Sequence, residues 1–148
     1  MEPLRRLVLR STALLAAGML LPLRALAAWD NAAFGAKSLG DALKALGGSA
    51  AADSKDIVID APQIAENGGV VPIEVTSNIP GTRSIAVVIE KNPFPLVSKF
   101  EFKEGAVPYV KVNVKIGESS NVRVVAEAGG KHFTAMKEVK VTIGGCGG

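Results

Sequence analysis

The chain has 148 residues, of which 48% are apolar, 5% aromatic and 21% charged, with a formal charge of +3. That composition suits one globular domain and excludes an intrinsically disordered chain. Four of the 17 cations and one of the 14 anions lie in the first 27 residues, so the remainder carries 13 of each. A body with no net charge lacks the basic excess that counterion release from nucleic acid requires, and no nucleic-acid partner is expected. With one cysteine, Cys146, and one histidine, His132, a single copy has no intramolecular disulfide and no metal site built from several Cys and His ligands. No phosphate-binding glycine loop, zinc-protease or nucleophile-elbow motif occurs, so the chain alone is not read as an enzyme.

Residues 1–27 read as a cleaved signal peptide. Arg5, Arg6 and Arg10 form a charged start, an apolar stretch runs from Ser11 to Leu23, and Ala25-Leu26-Ala27 supplies the small residues that a signal peptidase reads. The apolar stretch falls short of the ~20 residues a spanning helix needs, so no permanent membrane anchor is expected. Arg5-Arg6-Leu7-Val8-Leu9-Arg10 is similar to a twin-arginine signal, with Leu4 where such signals usually carry Ser or Thr. Cleavage between Ala27 and Ala28 places the mature protein outside the cytoplasm, in the periplasm of a Gram-negative source.

Residues 28–54 read as an N-terminal helix and linker. Phe34, Leu39, Leu43 and Leu46 suit one helical face, best over Ser38–Leu46. Asp41 and Lys44 complement the helix dipole, and Gly47-Gly48 ends the helix. From residue 55 the apolar period falls to two, most clearly at Val110, Val112, Val114 and Ile116. Seven strands are predicted, at 56–60, 70–77, 84–90, 97–103, 109–116, 121–128 and 131–143, with turn clusters such as Glu66-Asn67-Gly68-Gly69 and Gly129-Gly130 between them. Seven short strands without intervening helices predict an immunoglobulin-like antiparallel β-sandwich over 55–143. Asn92-Pro93-Phe94-Pro95 reads as a stiff strand-to-strand crossover. His132 reads as a partly exposed strand residue; its rival role is a general base for the thiol fourteen positions away.

After Ile143 every side chain disappears except one thiol: Gly144-Gly145-Cys146-Gly147-Gly148. Glycine has the most conformational freedom to lose on ordering, so these residues predict a flexible arm presenting Cys146 about 10 Å beyond the last strand. An odd cysteine in an exported protein implies intermolecular pairing or deliberate reactivity. Covalent attachment needs exposure, reach and a thiolate. The arm supplies the first two, and the third is expected from a partner, because the nearest cation in sequence is Lys140.

The ending Gly-Gly-Cys-Gly-Gly after Val139-Lys140-Val141-Thr142-Ile143 resembles that of the SoxY family, the sulfur-binding carrier subunits of bacterial thiosulfate-oxidising systems. The resemblance extends to Ala65-Glu66-Asn67-Gly68-Gly69-Val70-Val71-Pro72, to Asn92-Pro93-Phe94-Pro95-Leu96 and to the helix before the sandwich. It implies that Cys146 holds sulfur intermediates covalently, with no cofactor or metal of its own. The implied partners are a SoxZ-like β-sandwich subunit in a heterodimer, a haem-containing thiosulfate oxidase, a manganese-dependent hydrolase that releases sulfate, and a sulfane dehydrogenase. Two other readings stand beside it. One is a structural or adhesion module linked through a Cys146 disulfide; the other is a carrier charged as a thiocarboxylate on the terminal Gly148.

Overall fold

The computed structural model describes residues 30–142. Two short helices, α1 (Asn31–Phe34) and α2 (Leu39–Ala45), precede the strands β1 (Ala52–Asp53), β2 (Ile57–Asp60), β3 (Ile64–Ala65), β4 (Val71–Ser77), β5 (Thr82–Ile89), β6 (Leu96–Glu101), β7 (Tyr109–Val114), β8 (Ser120–Ala128) and β9 (Lys131–Val141). They form two sheets. One runs β1-β9-β8-β5-β6, with β3 also pairing β9; the other is β2-β4-β7. All seven strands expected from the alternation are present, and the chain is an immunoglobulin-like β-sandwich.

The alternation works because each sheet buries one face. Ile57, Ile73, Val75, Val110 and Val114 of the smaller sheet meet Ile85, Val87, Ile89, Val122, Val124 and Val139 of the larger one in a single core. On the far side of the smaller sheet, Val58, Lys111 and Asn113 face solvent. The Gly129-Gly130 hairpin pairs Ala128 with Lys131, and both glycines have positive φ, as a tight turn matching the strand twist requires.

Strand β5 departs from simple alternation: Ile85 to Ile89 is a continuous apolar run, buried throughout. The reason is that α1 and α2 lie across the outer face of the larger sheet. Ala33, Ala86, Val88, Leu96 and Val125 form a second core there, against which Phe34, Leu39, Leu43 and Leu46 pack. The predicted helical face thus finds its sheet. Ser38 caps α2, its hydroxyl accepting from the Asp41 N–H at 3.1 Å and donating to the Asp41 carboxylate at 2.7 Å. Two features lie outside the sequence reading. Residues 31–34 form a separate turn of helix, capped by the Asp30 carboxylate, and β1 and β3 are two-residue strands that pair parallel with β9.

Gly47 follows α2 at φ +71°, and a Cβ there would lie 2.8 Å from His132 Cε1. The left-handed backbone and the imidazole beneath it both select glycine. Gly47→Ala is expected to destabilise the fold by about 1–2 kcal/mol. Urea denaturation checks this, and an unchanged midpoint would contradict it.

Candidate functional site

Strand β9 sets where the described chain exits the sheet, at Thr142. Its inward residues Ala135, Val139 and Val141 pack on the core, while Glu138 and Lys140 point outward. This alternation locks the register, since a slip of one residue would expose the apolar set. At its far end the strand is held from both sides. On the β8 side, the Ser119 hydroxyl accepts from the Val141 N–H at 2.9 Å. On the other side, the Lys140 N–H donates to the Gln63 carbonyl at 3.0 Å and the Thr142 N–H to the Ala65 carbonyl at 3.1 Å. The chain is therefore fixed as far as Thr142, whose hydroxyl lies 3.4 Å from the Glu66 carbonyl oxygen.

Three loops gather around this exit: 66–70 before β4, 90–95 between β5 and β6, and 115–119 between β7 and β8. Hydrogen bonds tie them together. The Ile116 N–H donates to the Gly68 carbonyl at 2.7 Å. The Asn92 amide donates to the Lys115 carbonyl at 2.7 Å and its oxygen accepts from the Gly117 N–H at 3.1 Å. Within the first loop, the Asn67 side chain accepts from the Gly69 N–H at 2.8 Å. The 92–95 segment is thus a turn between adjacent antiparallel strands, with Pro95 fully buried. Its asparagine clasps the loop where the chain crosses from the smaller sheet to the larger. Asn92→Ala is expected to cost about 1–2 kcal/mol and to speed hydrogen exchange at the Gly117 amide. Unaltered Gly117 protection would contradict that role.

The charges on this end face are mixed. Lys91 and Glu118 approach to 3.8 Å, both well exposed, and Glu66 is exposed. Deeper on the outer sheet face, Glu90 accepts from Arg123 Nε at 2.8 Å and from the Asn121 amide at 3.0 Å. The shifted ionisations that the described residues show lie elsewhere, on the outer face of the smaller sheet. There the Lys111 ammonium, and secondly the Tyr109 phenol at 2.7 Å, hold the Glu74 carboxyl below its usual range. Glu74 in turn raises both Tyr109 and Lys111. Cross-strand pairing explains the cluster, since Glu74 is opposite Lys111 and Thr76 opposite Tyr109.

Cys146 and its glycines Gly144, Gly145, Gly147 and Gly148 lie outside the described residues, as do Arg5, Arg6, Ala27 and Ala28. His132 is described, and its place excludes the general-base role. It sits at the hairpin end of β9, nine residues before Val141, or about 30 Å along the strand at ~3.3 Å per residue. The five backbone steps from Val141 to Cys146 span at most about 18 Å. Its half-buried imidazole instead lies beneath Gly47. No group of three or more His, Cys, Asp or Glu residues among the described ones is placed to hold a metal. Nor is any helix among them long and apolar enough to cross a membrane.

Two of the segments that share the family resemblance, 65–72 and 92–96, lie in or beside the end-face loops. Sequence reading gave no signal that these segments meet each other and the end of β9. These elements define a small β-sandwich whose described residues end at Thr142, among the loops of one end. Comparison with known proteins agrees. The solved structure of the sulfur carrier protein SoxY from Chlorobium limicola f thiosulfatophilum is similar at TM-score 0.65 and 40% identity, over 72% of this chain and 97% of that one. A superoxide reductase (neelaredoxin) from Ignicoccus hospitalis shares the fold alone, at TM-score 0.52 and 21% identity over 57% of this chain and 79% of that one. No curated protein matches the sequence. The family model for the sulfur oxidation protein SoxY matches residues 42–146, and the chain belongs to that family.

Proposed function

We propose that the protein carries sulfur intermediates of thiosulfate oxidation as covalent adducts on Cys146 and presents them in turn to separate enzymes. The observation that carries this reading is the family match, which runs from α2 through the sandwich to Cys146 itself. Loading joins the Cys146 thiolate to the outer sulfur of thiosulfate, giving Cys–S–S–SO₃⁻. The two electrons released go to the haem-containing oxidase. Hydrolysis by the manganese enzyme then transfers the sulfonate group to water, leaving Cys–S–S⁻ and releasing sulfate and two protons. The sulfane dehydrogenase then takes six electrons from the remaining outer sulfur while three waters supply its oxygens, giving Cys–S–SO₃⁻ and six protons, and a second hydrolysis by the manganese enzyme releases sulfate and frees the thiol.

The carrier itself holds no cofactor in this scheme; its cargo is sulfur. Tethering turns successive encounters with labile species into delivery of one bound group. The mixed charge of the exit face lets several enzymes approach without one being favoured by a strong field. A SoxZ-like subunit completes the carrier as a heterodimer, and the signal segment takes it to the periplasm by the twin-arginine route.

Peptide mapping tests the attachment point. After incubation with thiosulfate and the coupling oxidase, the C-terminal peptide is expected to gain a thiol-reversible mass on Cys146. A sulfur atom on the Gly148 carboxyl would point instead to a thiocarboxylate carrier. A Cys146–Cys146 disulfide as the sole product would point to a linked structural dimer.

A further inference from the structure

The arm's root and the rim around it specify where visiting enzymes make contact. Thr142 is held by Ala65 on one side, and the preceding residue by Ser119 on the other. Only three residues then separate Thr142 from Cys146, four steps of the backbone and at most about 14 Å of chain. A catalytic group recessed in its own pocket uses up much of that length. The mouth of such a pocket therefore has to come to rest on the loops beside Thr142, since the sheets they cap are themselves only ~10 Å apart.

Those loops expose apolar side chains that the core does not use. Phe94 is 50% exposed although Pro95 and Leu96 beside it are buried, and Val70 is 61% exposed next to the buried Val71. The charged residues Glu66, Lys91 and Glu118 stand on the same loops. Apolar contacts bordered by polar groups are the usual make-up of a recognition patch. The loops are also braced by the Asn92 and Gly68 hydrogen bonds, so binding loses little to their ordering.

We infer that this end face is the seat for the enzymes that form and break sulfur–sulfur bonds on Cys146, with Phe94 and Val70 as its apolar contacts. The inference rests on the carrier function proposed above. The occupant is a catalyst with an apolar lip around its cleft. A permanent companion subunit or a second copy seated here would obstruct the thiol's path, so these bind elsewhere.

The test uses the mature full-length chain, with any companion subunit that co-purifies, and the haem-containing oxidase with thiosulfate as probe. The double variant Phe94→Ser/Val70→Ser is expected to raise the KM for carrier roughly ten-fold with kcat little changed. Labelling of Cys146 by a small aromatic disulfide is expected to stay at the wild-type rate, as is the thermal midpoint. Val107→Ser, an exposed apolar residue at the opposite end before β7, serves as control and is expected to change nothing. An unchanged KM in the double variant, or an equal rise in Val107→Ser, overturns the inference while leaving the carrier function standing. Weakened self-association of the double variant would make the patch a contact between copies and would likewise overturn it. A wild-type chain that takes no adduct on Cys146 defeats the carrier function itself, and the docking seat with it.

Discussion

Replacing Cys146 by serine is expected to reduce thiosulfate oxidation to the level of a system lacking the carrier. A serine hydroxyl is not appreciably ionised at neutral pH and forms no sulfur–sulfur bond, so neither the loading step nor any later one has a substrate. Cys146 is the chain's single cysteine, which leaves no second thiol to substitute for it. The loss is therefore in kcat as well as kcat/KM, unlike the KM effect expected at the docking rim. Electron transfer to the oxidase's acceptor, followed with purified components, reads it directly. Retention of the wild-type rate by Cys146→Ser would contradict covalent carriage.

Ile85→Ala is expected to cost about 3 kcal/mol, within the 2–5 kcal/mol typical of large-to-small core changes. Ile85 is fully buried in β5, with Ala126 of β8 opposite it on one side and Phe100 of β6 on the other. Ala126 is too small to close the cavity, and the core depends on both sheets for its definition. Against the 5–15 kcal/mol total of an ordinary domain, this is a large fraction. The denaturant midpoint is expected to fall with the m-value unchanged. A loss below 1 kcal/mol would mean that the two sheets do not close on each other as described.

Much of this architecture is legible in the sequence because antiparallel sheets with one wet face write their burial into every second residue. Val110, Lys111 and Val112 show it plainly, and Gly129-Gly130 marks its hairpin. Other parts have no local signature. Strands β1 and β3 are two residues each, and nothing in Ala52-Asp53 or Ile64-Ala65 announces pairing with β9, which lies more than seventy residues further on. The unbroken apolar run of β5 depends on the helices that cover it, so its cause lies some forty residues upstream. The exit face is hidden for the same reason: Asn92 reaches Lys115 and Gly68 reaches Ile116 only once the sandwich closes. The reactive residue itself needs no tertiary structure to be noticed, since a lone thiol among four glycines stands out from composition. Its assignment to thiosulfate chemistry, by contrast, rests on the family resemblance.

Intact-mass spectrometry of the protein isolated from cells that are oxidising thiosulfate shows whether Cys146 carries sulfur during turnover. A population bearing sulfur or thiosulfate additions, reversed by a thiol reductant and mapping to Cys146, is the expected result. Only unmodified chain and disulfide dimer under turnover would contradict it.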